Sequence, residues 1–219
     1  MLTLKNIFKT FTVSTAGLVI FGILLLDQSI KIYIKTHYAI SAYGNGPIVD
    51  WGFFKLLFVE NKGMAMGTNL ADFLPFVGDD AAKLILTLFR LIVIGFIGYW
   101  FWKQLKKSSH ILLRWALCLI FAGALGNILD SIFYGALFTH SYGQVASFAM
   151  GEGYAPLFYG HVVDMFYFPL ASWVWPKWIP VVGGESYTFF QYVFNIADTA
   201  ISTGVCMLIV FNKRIFKKG

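Results

Sequence analysis

Four apolar runs in this chain are each long enough to cross a lipid bilayer, and that restricts the folds open to it. A spanning helix needs about 20 residues. Val13–Tyr33, Ala82–Trp102, Ile111–Leu137 and Phe189–Phe211 supply them. In lipid every backbone N–H and C=O must find its partner inside the protein, so such runs fold as helices. Of the 219 residues, 58% are hydrophobic and 13% charged, against about 25% charged in a soluble domain. The expected fold is an all-α membrane protein with four transmembrane helices, built as a single integral-membrane domain over residues 1–219. The first run follows Lys5 and Lys9, as a cleavable signal sequence would. It exceeds the usual apolar core of about 7–15 residues and continues through Asp27 and Lys31, so a retained helix is expected.

The basic residues set the topology. Lys5, Lys9, Lys103, Lys106, Lys107, Lys213, Arg214, Lys217 and Lys218 all fall in the N-terminus, the 103–110 connection and the C-terminus, which contain no Asp or Glu. Positive segments stay in the cytoplasm, so the expectation is N-in/C-in. The net charge of +6 is then a topology signal and an attraction to anionic lipid rather than a nucleic-acid patch. Two long connections lie on the other side. In the first, residues 36–80, GNGPIVDWGFFKLLFVENKGMAMG reads as short strands with glycine turns. The second, residues 138–188, carries ASWVWPKWIP, a Trp-rich run suited to a membrane interface. Cys118 and Cys206 sit inside apolar runs and read as small buried thiols. The four histidines, 37, 110, 140 and 161, form no triad and no metal-ligand cluster.

An ionisable residue at mid-bilayer costs about 2.5–3.5 kcal/mol, so each one asks for a reason. Asp27 and Lys31 are four apart on one helix face and can pair, either structurally or in support of a site. Arg90 lies inside the second run; its choices are to snorkel or to meet an acid on another helix. Asn127 and Asp130 share a face of the third run, where Gly123 and Gly126 allow close helix approach. Asn195 and Asp198 repeat that spacing on the fourth, with the small residues Ala197 and Ala200 beside the acid. Asp164 stands in the apolar run GHVVDMFYF, where it is either an interfacial acid bonded to backbone or part of a site. Two acids in apolar surroundings, oriented by asparagines, meet the needs of an aspartyl mechanism, because neighbouring carboxylates share one proton. The same acids would also serve a proton-coupled transporter or a non-catalytic scaffold.

Taken together, LLDQSIK, NKGMAMG, GALGNILD, HVVDMFYF and FNIADTAISTG resemble, in order, the motifs of the lipoprotein signal peptidase (signal peptidase II) family. The resemblance covers all four runs. It implies a four-helix membrane enzyme of the bacterial inner membrane, with a small periplasmic β-rich cradle. It implies cleavage of diacylglyceryl-modified prolipoproteins just before the lipidated cysteine, with membrane lipid as the other partner and with no metal or organic cofactor. The catalytic pair carries over to Asp164 and Asp198. Asn127 and Asn195 match positions that hold the pair and the substrate. Asn61, Gly63, Asp27, Lys31, Gly123, Asp130, Ala197 and Ala200 match supporting positions, the two alanines leaving room for small substrate residues. A monomer is expected. Ser131 departs from the family, which commonly has Arg there; Arg90 or Lys62 is a candidate stand-in. The segments Phe133–His161 and Pro169–Phe189 are longer than the family's compact form, an extended second periplasmic loop expected to cover the cleft.

Overall fold

The structure, a computed structural model, describes residues 11–41, 46–61, 78–107 and 109–216. Three helices are long and apolar enough to span a membrane: α1 (Val13–His37), α2 (Asp79–Lys106) and a third covering Ile111–Leu137. Local chemistry sets their ends. Thr12 caps α1 by accepting the Thr15 N–H. Asp79 and Asp80 open α2 and Lys103 and Lys106 close it, each sign matching the helix dipole. Outward-facing Leu18, Phe21, Leu25, Ile85, Phe89, Ile92 and Phe96 are all exposed. An apolar exterior of this kind is unfavourable in water and natural against lipid.

The third span is not one regular helix. α3 (Ile111–Leu129) passes into a π-helical turn, Asp130–Tyr134, and ends in α4 (Gly135–Leu137). Part of the 138–160 segment docks on this end through its backbone. The N–H groups of Gly160, Phe158 and Ala155 donate to the carbonyls of Ser131, Ile132 and Gly135. The approach is so close that a Cβ on Gly160 would lie 2.1 Å from the Asp130 carbonyl oxygen. The segment therefore buttresses the third span.

The fourth run departs most from expectation. Its helix, α5, begins at Ile196 and ends at Val210, followed by the short α6 (Asn212–Ile215). The residues before it are strands. β1 (Val49–Asp50), β2 (Lys55–Asn61), β3 (Val162–Tyr167) and β6 (Val193–Phe194) make a four-stranded sheet in the order β1-β2-β3-β6, while β4 (Ala171–Val174) and β5 (Ser186–Phe189) pair as a separate hairpin. All pairings are antiparallel. Strand pairing thus claims Phe189 and Phe194, and Asn195 sets the helix start with a reciprocal capping box to Asp198. At about 1.5 Å per residue, the 15 residues of α5 fall short of a full hydrocarbon core of about 30 Å.

Two apolar clusters bracket a polar layer. One gathers Phe11, Ala16, Phe101, Leu113, Leu117, Cys118 and Ile215; the other Ile34, Phe58, Tyr134, Phe138, Val163 and Met165. Between them, α3 and α5 meet through small residues. A Cβ on Gly123 would lie 2.2 Å from the Ala197 carbonyl oxygen, and one on Gly126 would lie 3.1 Å from the Ala197 Cβ. Ala197 is fully buried and Ala200 nearly so, and the small side chain of Ala197 permits this approach. Gly123→Ala should destabilise the protein by about 1–3 kcal/mol. Gly17→Ala on α1, where nothing lies within 4 Å of the added carbon, should be neutral. Thermal unfolding of the two detergent-solubilised variants reads the difference.

Candidate active site

The polar layer is organised around one ammonium group. Lys31 Nζ lies 2.8 Å from Asp27 Oδ2, 2.8 Å from Asp130 Oδ2 and 3.0 Å from Asn127 Oδ1. An ammonium has three N–H bonds to give, and these three acceptors use them. Lys31, Asp27 and Asp130 are all at most 1% exposed. The i,i+4 spacing places Asp27 beside Lys31 on α1, and Asp130 arrives from the π-helical turn. Gln28 ties the same acids together, donating to Asp130 Oδ1 at 2.8 Å and to Asp27 Oδ2 at 3.1 Å, while Tyr134 Oη donates to its Oε1 at 3.0 Å. The free lone pairs of both acids accept backbone N–H groups elsewhere: Ala197 N to Asp27 Oδ1 at 2.9 Å and Val163 N to Asp130 Oδ2 at 3.3 Å. The cluster thereby joins α1, α3, β3 and α5.

From Lys31 the hydrogen bonds run to Asp164 and Asp198. The ammonium can only donate, so Asn127 must turn its Oδ1 toward it and its Nδ2 away. That Nδ2 donates to Asp198 Oδ1 at 2.7 Å. Asn195 completes the frame. Its Oδ1 accepts the Asp198 N–H at 2.9 Å, and its own N–H returns to Asp198 Oδ2 at 3.2 Å. Its Nδ2 reaches Asp164 Oδ1 at 2.7 Å and Asn127 Oδ1 at 3.1 Å. Asn61, at the end of β2, donates to Asp164 Oδ2 at 3.2 Å. Each carboxylate is therefore held on both oxygens, chiefly by neutral amides that fix geometry without neutralising charge.

Asp164 is 4% exposed on β3, opposite Val59. Burial, helped by repulsion from Asp198, pushes its carboxyl up to about 7 from its ordinary 3.8, against the pull of Asn61, Lys31 and Asn195. Asp198 is half-buried in the first turn of α5, where the helix dipole favours a negative charge. Two coupled carboxyls in such unequal settings can hold one proton between them and offer one acid and one base. Arg90 on α2 interacts electrostatically with both Asp198 and Asp164, so the second span brings a cation to this site. Ser131 is fully buried, its hydroxyl donating to the Asn127 carbonyl at 3.1 Å.

A second buried network lies on the other face of the sheet, and sequence reading missed it. Lys35 Nζ is ion-paired with Glu60 and donates to Ser141 Oγ at 2.9 Å; Ser141 in turn donates to Glu60 Oε1 at 2.6 Å. His161 puts its Nδ1 3.4 Å from Glu60 Oε2 and its ring beside Tyr154. Burial pushes Glu60 up, but His161, Lys35 and Ser141 overcome it and hold the carboxyl at about 2. The signal was present in the spacing: Asp27, Lys31 and Lys35 recur every four residues on α1, and Glu60 directly precedes Asn61. Gly63 and Lys62 lie outside the described residues.

A chain with membrane-length helices, a small sheet and a buried, amide-held pair of acids has the build of a membrane-embedded hydrolase, and the comparisons agree in class. The family model for signal peptidase (SPase) II matches residues 19–213. The lipoprotein signal peptidase of Porphyromonas gingivalis is 45% identical over 190 residues, 86% of this chain and 78% of that one. That of Amoebophilus asiaticus is 34% identical over 213 residues, 96% and 79% of the two chains. Two solved bacterial membrane enzymes share the fold. One has a TM-score of 0.53 at 22% identity, covering 94% of this chain and 93% of its own; the other scores 0.55 at 21%, covering 90% and 92%. This chain belongs to the signal peptidase II family and is a membrane peptidase.

Two outcomes follow from the geometry. Lys31→Met leaves Asp27 and Asp130 buried without their cation and should cost about 3–5 kcal/mol, read by denaturation in detergent. The pH dependence has two windows. Glu60 ionises more easily folded than unfolded, so its stabilisation is full above about 4.5 and is lost as pH falls toward 2. Asp164 is the reverse. Between pH 3.8 and about 7 the folded state holds a proton that the unfolded state releases, so stability falls with rising pH by up to about 1.4 kcal/mol per unit. Melting curves at stepped pH should show that fall in the wild type and a flatter slope in Asp164→Asn, whatever its absolute stability.

Proposed function

We propose that this protein is an aspartic endopeptidase that removes the signal peptide from diacylglyceryl-modified prolipoproteins, cutting just before the lipidated cysteine. The observation that carries the reading is the pair Asp164 and Asp198, one from a strand and one from a helix, joined through Asn127 and Asn195. Asp164, whose carboxyl is lifted to about 7, carries the shared proton and hydrogen-bonds the scissile carbonyl. Asp198 is the ionised partner and takes a proton from water as the water oxygen attacks the carbonyl carbon. The tetrahedral intermediate collapses when that proton passes to the leaving nitrogen, and no covalent bond to the enzyme forms. Both acids and the amides that hold them come from a single chain, which supports action as a monomer.

The membrane arrangement we propose has four spans with both termini in the cytoplasm of the inner membrane, α5 and α6 together making the fourth. Lys103, Lys106, Lys107, Lys213 and Arg214 cluster at the helix ends away from the sheet, which supports a periplasmic sheet and a periplasmic-facing site. The diacylglyceryl group then binds from the lipid and brings the cysteine to the acids. No cofactor enters the reaction.

Asp164→Asn and Asp198→Asn should each reduce cleavage of a purified, lipidated prolipoprotein by at least about a hundredfold while leaving the protein folded. Normal processing by either variant overturns the assignment. An unlipidated substrate should go uncut. In the wild type, cleavage should decline as pH rises past about 7, because the proton-bearing acid is lost.

A further inference from the structure

The β4–β5 hairpin takes no part in the site, yet its two feet are the site's own elements. Three residues separate β3 from β4, and three separate β5 from β6. Strand β3 carries Asp164, and β6 leads directly into Asn195. Among the described strands, β4 and β5 pair only with each other, so the hairpin stands clear of the sheet.

Its composition is wrong for water. From Leu170 to Phe190 the charges are Lys177 and Glu185 alone. Cross-strand pairing sorts the side chains by face. Trp173 stands opposite Tyr187 and Ala171 opposite Phe189, while Ser172 opposes Thr188 and Val174 opposes Ser186. One face thus presents an aromatic cluster in which Trp173 lies 5.5 Å from Trp175 and 4.9 Å from Tyr187. The other is small and mostly polar. The tip is apolar and bare, with Trp178 81% and Val181 96% exposed.

The tip also breaks the usual turn preference. Val181 has φ +73°, a conformation that favours glycine or asparagine and is strained for a β-branched residue. A turn facing water would gain by placing a small polar residue there. Retaining valine at full exposure makes sense where the tip meets a medium that rewards apolar surface.

That medium is close at hand. The hairpin ends seven residues before the start of α5, an apolar helix in the same bundle as three membrane-length spans. We propose that the β4–β5 hairpin is a membrane-interface anchor. Its aromatic face and its tip seat in the headgroup–acyl boundary, where Trp and Tyr are favoured, with Ser172 and Thr188 turned to the wet side. Seated there, it holds β3 and β6, and with them the two acids, at a set height above the spans.

The test reads depth rather than cleavage, so it stands apart from the peptidase assignment. Cys118 and Cys206 are replaced by alanine, Val181→Cys is labelled with an environment-sensitive fluorophore, and the full chain is reconstituted in phosphatidylethanolamine–phosphatidylglycerol vesicles. Quenching by lipids bearing a nitroxide near the headgroup, with loss of quenching by aqueous iodide, is the expected result. Quenching by iodide and not by the lipid nitroxide overturns the anchor. Shielding that arises only on adding prolipoprotein, or only as protein density in the vesicle rises, also overturns it, in favour of a substrate or a second copy as the occupant. Should the relabelled chain fail to fold, vesicles of brominated lipid serve with the native cysteines in place. Trp178→Phe should then lose part of the lipid-quenchable tryptophan emission, and an unchanged quenchable fraction counts against the proposal.

Discussion

Lys31 holds this structure's polar layer together. An ammonium buried with no exposure in a membrane span is tolerable only when all three of its protons are taken. Here the three acceptors come from two spans, and the acids they belong to accept backbone N–H groups from β3 and α5. One unfavourable group thereby recruits four elements. The fixed polarity of the ammonium also orients Asn127, whose amide then points its donor at Asp198. Asp164 and Asp198 are thus aligned by a charge whose three N–H bonds all go elsewhere.

Such a layer can form only if the helices come close enough. Gly123 and Gly126 against Ala197 provide the approach between α3 and α5. The π-helical turn at Asp130 adds what a regular helix would withhold. It swings Asp130 toward Lys31 and Gln28, and it leaves carbonyls of Ser131, Ile132 and Gly135 for the 155–160 backbone to satisfy. π-turns inside α-helices often mark functional sites, and in this span the turn sits three residues past Asn127.

Much of this was legible in the chain because it is local. Apolar runs give spans, and the three- and four-residue spacings of Asn127 with Asp130, Asn195 with Asp198, and Asp27 with Lys31 give shared helix faces. What escaped was nonlocal. The apolarity of Phe189–Phe194 is the same whether those residues enter a helix or pair as strands, and the decision rests on partners far away: Phe194 with Phe166, Phe189 with Ala171. For the same reason the pairing of Glu60 with Lys35 escaped: the four-residue spacing puts Lys35 on the face of Lys31, but its acid lies 25 residues away. Ala197 and Ala200 were legible as small, yet not as buried.

The placement of the two acids on unlike elements makes them unequal. Asp164 sits in a strand buried along most of its length, without a helix terminus to favour its charge, and burial lifts its carboxyl. Asp198 sits in the first turn of α5, at the positive end of the helix dipole, and it is the more exposed of the two. Had both acids stood on one helix face, their surroundings would have been nearly the same. Dividing them between β3 and α5, and bridging them with asparagines, lets the fold itself give the two carboxyls unequal surroundings.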